Sequence, residues 1–153
     1  MIVEFTLNGE PAQARVVSPV SLLDVLRDQL QLPGSKSACA QGECGSCSVV
    51  FDGEVICSCL VMAVDVAGSS VTTVEGLGEP GVLNAVQEAM VDAGAVQCGF
   101  CTPGIVVAAT ELFNANPSPD VEEIKEALAG NICRCTGYGA IVRALQGLAE
   151  GSR

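Results

Sequence analysis

Histidine and tryptophan are absent from this sequence, tyrosine occurs once and phenylalanine four times. A core so poor in rings must be built from Val, Ala, Leu and Ile, and a hydrophobic content of 49% supplies enough for a folded protein. Charged residues are also few, at 16%, which argues against a disordered chain. Basic residues are scarcer still: seven Lys and Arg against 18 Asp and Glu leave a net charge of −11. Those seven are scattered, so nucleic acid and anionic membrane are excluded as partners, because phosphate binding needs grouped cations. No apolar run reaches the roughly 18 residues of a membrane span. The opening MIVEFTLNGE has no basic segment, long apolar stretch or twin arginine, so the expected compartment is the cytoplasm.

Cysteine, by contrast, is abundant. Nine in 153 residues are hard to assign to disulfides in a compartment that keeps thiols reduced, and an odd number leaves one over in any closed framework. Metal is the better first reading.

The chain divides into two halves, written here as 1–76 and 77–153. In the first, extended runs flank Asn8-Gly9 and Asp52-Gly53, each a strong hairpin signal. Between them, Leu22, Leu23, Val25, Leu26 and Leu30 recur at helical spacing, with Ser21 and Asp24 resembling a capping box and Pro33-Gly34 ending the segment. Val71–Val74 reads as a last strand. In the second half the period becomes 3.6, with helices expected over 82–93, 103–114, 120–129 and 141–149. The Gly-rich stretch 75–81 reads as a linker. The fold class is α+β.

Cys39-x4-Cys44-x2-Cys47 has the plant-type [2Fe–2S] ferredoxin spacing. Such a cluster needs four thiolates and backbone N–H groups turned toward its sulfides, so the loop must wrap closely as an anion nest. Gly42 and Gly45 suit that wrapping. The fourth ligand is Cys57 or Cys59; two apart in extended chain, they point the same way, and geometry does not choose. The remaining cysteine reads as a small buried hydrophobe. In the second half, Cys98-x2-Cys101 and Cys133-x-Cys135 each precede a helix, whose N-terminal amides stabilise thiolates. Two such ends meeting would make a four-thiolate site between helices, for a second cluster or for structural zinc.

Four ordered motifs, CAQGECGSC, SCLVMA, QCGFCTPG and NICRCTGY, closely resemble the iron–sulfur subunit of molybdenum hydroxylases, the family of xanthine dehydrogenase, aldehyde oxidoreductases and carbon monoxide dehydrogenase. The resemblance implies a β-grasp ferredoxin domain followed by a four-helix bundle, each with one [2Fe–2S] cluster. It assigns Cys39, Cys44, Cys47 and Cys59 to the first cluster and Cys98, Cys101, Cys133 and Cys135 to the second, leaving Cys57 without a ligand role. Gln97 and Cys135 match positions that lie against the pterin. The implied function is to relay single electrons from molybdenum through the second and then the first cluster to FAD. Molybdopterin, in its cytosine dinucleotide form, and FAD would sit on large and medium partner subunits of a heterotrimer or a dimer of heterotrimers. A purine or other N-heterocycle is the expected substrate, with aldehyde or carbon monoxide as alternatives. Other readings are the small subunit of a hydroxybenzoyl-CoA reductase-type enzyme, a free-standing ferredoxin-like carrier and a zinc-stabilised interaction module. With no dinucleotide fingerprint and no P-loop, the chain is expected to carry no catalytic residues of its own.

Overall fold

The computed structural model describes residues 1–151. Strand β1 (Ile2–Leu7) turns at Asn8-Gly9 into β2 (Glu10–Arg15), and β3 (Ser48–Phe51) turns at Asp52-Gly53 into β4 (Glu54–Cys57). Both residues of each turn have positive φ, 52° and 85° in the first and 48° and 88° in the second, as the twist of a two-residue hairpin requires. Strand β5 (Ser70–Thr72) lies between the hairpins, parallel to β1 and antiparallel to β3, so the sheet runs β2-β1-β5-β3-β4. The expected strand to Val74 stops two residues early because a residue distant in sequence takes the next amide. Asn8 Oδ1 accepts the Thr73 N–H at 2.8 Å, and the chain then enters a 3₁₀ turn over Val74–Gly76.

Helix α1 begins at Leu22 with the expected capping box: Ser21 Oγ accepts the Asp24 N–H, and Asp24 Oδ2 accepts the Ser21 N–H. After one turn it widens, and Val25–Gln29 form a π-helical turn that closes when the Leu30 N–H reaches Val25 O. Leu22, Val25 and Leu26 pack against Val3, Phe5, Val49 and Val71 of the sheet. This is a ring-poor core of branched and aliphatic side chains, as the composition requires.

Four helices follow: α2 (Ala85–Asp92), α3 (Thr102–Ala115), α4 (Val121–Ala127) and α5 (Gly139–Gly151). Helix α2 starts later than the periodicity predicts because Asn84 caps it, its Oδ1 accepting the Gln87 N–H at 2.8 Å, which leaves Val82 and Leu83 outside and exposed. Asp120 caps α4 in the same way through Glu123. Helix α5 begins two residues before the expected Ile141. Val86, Met90, Ile105, Ala109, Ile124, Ile141 and Leu145 fill the space between the four. The stretch 75–81 is folded down rather than loose. Glu75 Oε1 accepts the Gly34 N–H at 2.7 Å, Glu79 bridges to Val82, and Leu77 packs on the helical core. Helix α3 lies against β3 and β4, so the two halves share a face. Among the described residues no helix is long and apolar enough to cross a membrane.

Candidate metal centres

Residues 39–47, ahead of β3, wind through three left-handed positions, Ala40 (φ 53°), Gly42 (77°) and Gly45 (68°). Their effect is to turn amides inward. The Glu43 N–H donates to Cys39 Sγ at 3.4 Å, and the amides of Gln41, Cys44 and Glu43 together hold the Cys39 thiol down at about 6. That is the nest the spacing predicts, built by backbone geometry around a sulfur. Around it stand Cys44, half-buried, and Cys47, buried.

Cys57 and Cys59 do not share one extended segment, contrary to the sequence reading. Cys57 ends β4, whereas Cys59 is the middle residue of a 3₁₀ turn over Ser58–Leu60, which is pinned by Ser58 Oγ donating to Cys47 O at 2.7 Å. Both thiols nevertheless lie against Cys47. Burial, followed by the nearby Cys47 sulfur, pushes Cys57 up to about 11 and Cys59 up to about 12. Cys57 Sγ also reaches Gly42 O at 3.8 Å. Five thiols therefore gather where a cluster takes four. Deprotonating several neighbouring sulfurs is costly unless a cationic core compensates, and an iron–sulfur core does so.

In the second half, Cys101 is the N-cap of α3, with Pro103 in the first turn. Cys133 and Cys135 lie just ahead of α5, which begins at Gly139, two residues nearer to them than the periodicity predicts. Thr136-Gly137-Tyr138 intervene before α5, with Gly137 and Tyr138 both left-handed at φ 63° and 64°. The Tyr138 hydroxyl accepts the Cys133 N–H at 2.8 Å and donates to Asn131 O at 2.9 Å, closing the loop on itself. Cys101 and Cys133 are buried; Cys98 and Cys135 are exposed in this chain and lie 3.6 Å apart, sulfur to sulfur. The surroundings act on these thiols differently. Burial raises Cys133, but the hydroxyl and amide of Thr136 outweigh it and leave the thiol at about 7. Burial and the adjoining Cys133 push Cys101 up to about 12, and Cys98 raises Cys135. Exposed Gln97 stands next to Cys98 in the chain, with Phe100 and Ile132, also exposed, nearby.

Among the described residues no three cysteine, aspartate or glutamate side chains close on a point that one metal ion could occupy. A mononuclear zinc site needs four sulfurs about one ion, whereas a [2Fe–2S] cluster takes them as two pairs.

The two sets meet. A cavity of about 190 Å³ is lined by Cys44 from the first and by Cys98, Cys101, Cys133 and Cys135 from the second. Beside it the Ile132 N–H donates to Cys44 O at 2.9 Å. The buried Asn131 amide donates to Gly45 O at 3.0 Å and lies 3.3 Å from Ser48 Oγ. The approach is close enough that a Cβ on Gly45 would collide with Gly130 O, and one on Gly104 would collide with Gly45 O. Gly45 thus serves the junction as well as the loop. Asn131, Thr136 and Tyr138 carry no ligand signature in the sequence, although they flank the Cys133-x-Cys135 pair.

Known proteins share this arrangement. A family model described as a 2Fe-2S iron-sulfur cluster binding domain matches residues 5–67, and one described as a [2Fe-2S] binding domain matches residues 73–146. The chain is 46% identical to the xanthine dehydrogenase iron-sulfur-binding subunit of Escherichia coli, over 92% of this chain and 89% of that protein. It is 44% identical to the nicotinate dehydrogenase small FeS subunit of Eubacterium barkeri, over 89% and 87%. Quinoline 2-oxidoreductase from Pseudomonas putida 86 contains a chain that superposes with a TM-score of 0.94 at 42% identity, covering 100% of this chain and 96% of that one.

Proposed function

Because the chain belongs to the family of iron–sulfur subunits of molybdenum hydroxylases, a non-catalytic, electron-transferring part of an oxidoreductase, we propose a residue-level path for that transfer. Electrons enter at Cys98, Cys101, Cys133 and Cys135 and leave at Cys39, Cys44, Cys47 and Cys59. When bound, the two [2Fe–2S] clusters supply one-electron carriers between centres that each exchange two. The observation that supports this path is the 2.9 Å hydrogen bond from the Ile132 N–H to Cys44 O, because it joins a residue next to ligand Cys133 directly to ligand Cys44. Beside it Asn131 donates to Gly45 O, and the facing glycines let the two backbones approach closely.

The entry side is the exposed patch of Cys98, Cys135, Phe100 and Ile132. Apolar exposure around two surface thiols suits a protein partner that covers them, and that partner is the large molybdopterin-binding subunit. Gln97 and Cys135 meet the pterin there. A medium FAD-binding subunit covers the exit side, completing a heterotrimer or a dimer of such trimers. The substrate class is an N-heterocycle, by similarity to subunits named for xanthine and nicotinate and to a quinoline oxidoreductase.

Cys135→Ser tests the direction of the path. It removes one ligand at the entry while leaving Cys133, the helices and the sheet in place. In the assembled complex, substrate should still reduce molybdenum, but flavin reduction should slow by more than the roughly 10–100-fold that follows loss of an outer-shell partner. Rapid-mixing spectroscopy follows each centre separately, and flavin reduction at the wild-type rate would contradict the proposed order.

A further inference from the structure

We propose that the Thr136 hydroxyl raises the reduction potential of the second cluster by donating a hydrogen bond to the Cys133 thiolate. Thr136 Oγ1 lies 3.0 Å from Cys133 Sγ. The Tyr138 N–H donates to the same oxygen at 3.2 Å, which occupies one of its lone pairs and leaves the hydroxyl hydrogen to turn toward sulfur. A metal-bound thiolate has no hydrogen of its own, so in the loaded protein the hydroxyl can only be the donor.

The loop is shaped to hold this contact. Gly137 turns the chain through the left-handed region, which brings the Tyr138 N–H back onto Thr136, and Tyr138 itself holds the left-handed conformation that non-glycine residues avoid. Its hydroxyl then anchors the ring between the Cys133 N–H and Asn131 O. The Cys133 amide is therefore engaged with tyrosine and does not face the sulfur. The amides of Thr136 and Cys135 also reach Cys133 Sγ, but the Thr136 hydroxyl is a side-chain donor and can be deleted without rebuilding the loop. In the first set, Cys39 instead receives backbone amides from Gln41, Glu43 and Cys44, which no single substitution removes.

A donor aimed at a ligand sulfur stabilises the reduced, more negative state of a cluster more than the oxidised one. Removing it should move the midpoint to a more negative potential. The inference rests on the reading of Cys133 as a ligand of the second cluster.

The test is a redox titration of the full, cluster-loaded chain, followed by electron paramagnetic resonance. The second cluster is identified as the signal lost in Cys101→Ser. Thr136→Val should shift that midpoint negative and leave the first cluster's midpoint unchanged, while Thr136→Ser should titrate as wild type. If Thr136→Val does not retain the second cluster, Thr136→Ala deletes the same hydroxyl with less bulk and should show the same shift. An unshifted midpoint in either hydroxyl-free variant overturns the proposal. So does an equal shift in Thr136→Ser, or loss of the cluster in both Val and Ala variants, which would make the role structural. Failure of the underlying reading looks different: the wild type itself would then show no second [2Fe–2S] signal.

Discussion

Cys59→Ser is expected to drop the iron content from about four to about two atoms per chain, whereas Cys57→Ser should keep both clusters. The two thiols are alike in most respects. Both lie against Cys47, and burial raises both. They differ in the backbone that carries them. Cys57 is the last residue of β4, paired with Ser48 in the sheet register, and its thiol turns to the Gly42 carbonyl. Cys59 sits in the 3₁₀ turn held by Ser58 against Cys47 O, the Ser-Cys-Leu segment in which the proposed path places the fourth ligand. Iron and sulfide assays on both variants decide the matter. A normal first cluster in Cys59→Ser together with its loss in Cys57→Ser would reverse the assignment.

Gly45→Ala should be strongly destabilising, because strain and collision coincide there. Its φ of 68° costs an L-residue about 1–2 kcal/mol on its own. The added Cβ would also run into Gly130 O and meet Asn131 Nδ2 at 2.6 Å. Backbone cannot step aside as a side chain can, so overpacking adds about 1–3 kcal/mol. For a chain of this size the sum corresponds to a melting temperature lower by roughly 4–20 °C. Gly53→Ala is the control, because φ is 88° there yet nothing lies within 4 Å, so it carries the backbone cost alone. Equal melting temperatures for the two variants would show that the junction is looser than the contact around Gly45 implies. In the assembled complex, Gly45→Ala should also slow flavin reduction, since the Ile132–Cys44 hydrogen bond lies one residue away.

What can be read from sequence follows the range of the interactions involved. Asn8-Gly9 and Asp52-Gly53 announce their hairpins because turn chemistry is local, and the Ser21/Asp24 capping box does so for the same reason. The cysteine spacings are legible because they reflect ligand geometry over a few residues. Asn84 is hard to find as the start of α2 because the apolar pattern continues through Val82 and Leu83, both of which remain exposed. Strand β5 reads too long because its end depends on Asn8, 65 residues away. Loop wrapping alone explains Gly45 in the sequence, since its contact with Gly130 and Asn131 spans some 86 residues. The Thr136–Tyr138 network is hidden because a left-handed tyrosine is not signalled by composition.

Two separate [2Fe–2S] clusters, each held by four cysteines, would make this chain a conductor of single electrons. The decisive experiment is metal and acid-labile sulfide analysis of anaerobically purified protein, read with the paramagnetic resonance spectrum of the fully reduced state. About four iron and about four sulfide per chain are expected, with two distinct paramagnetic species. Stoichiometric zinc in place of iron, or a single species with about half that iron, would contradict two-cluster binding.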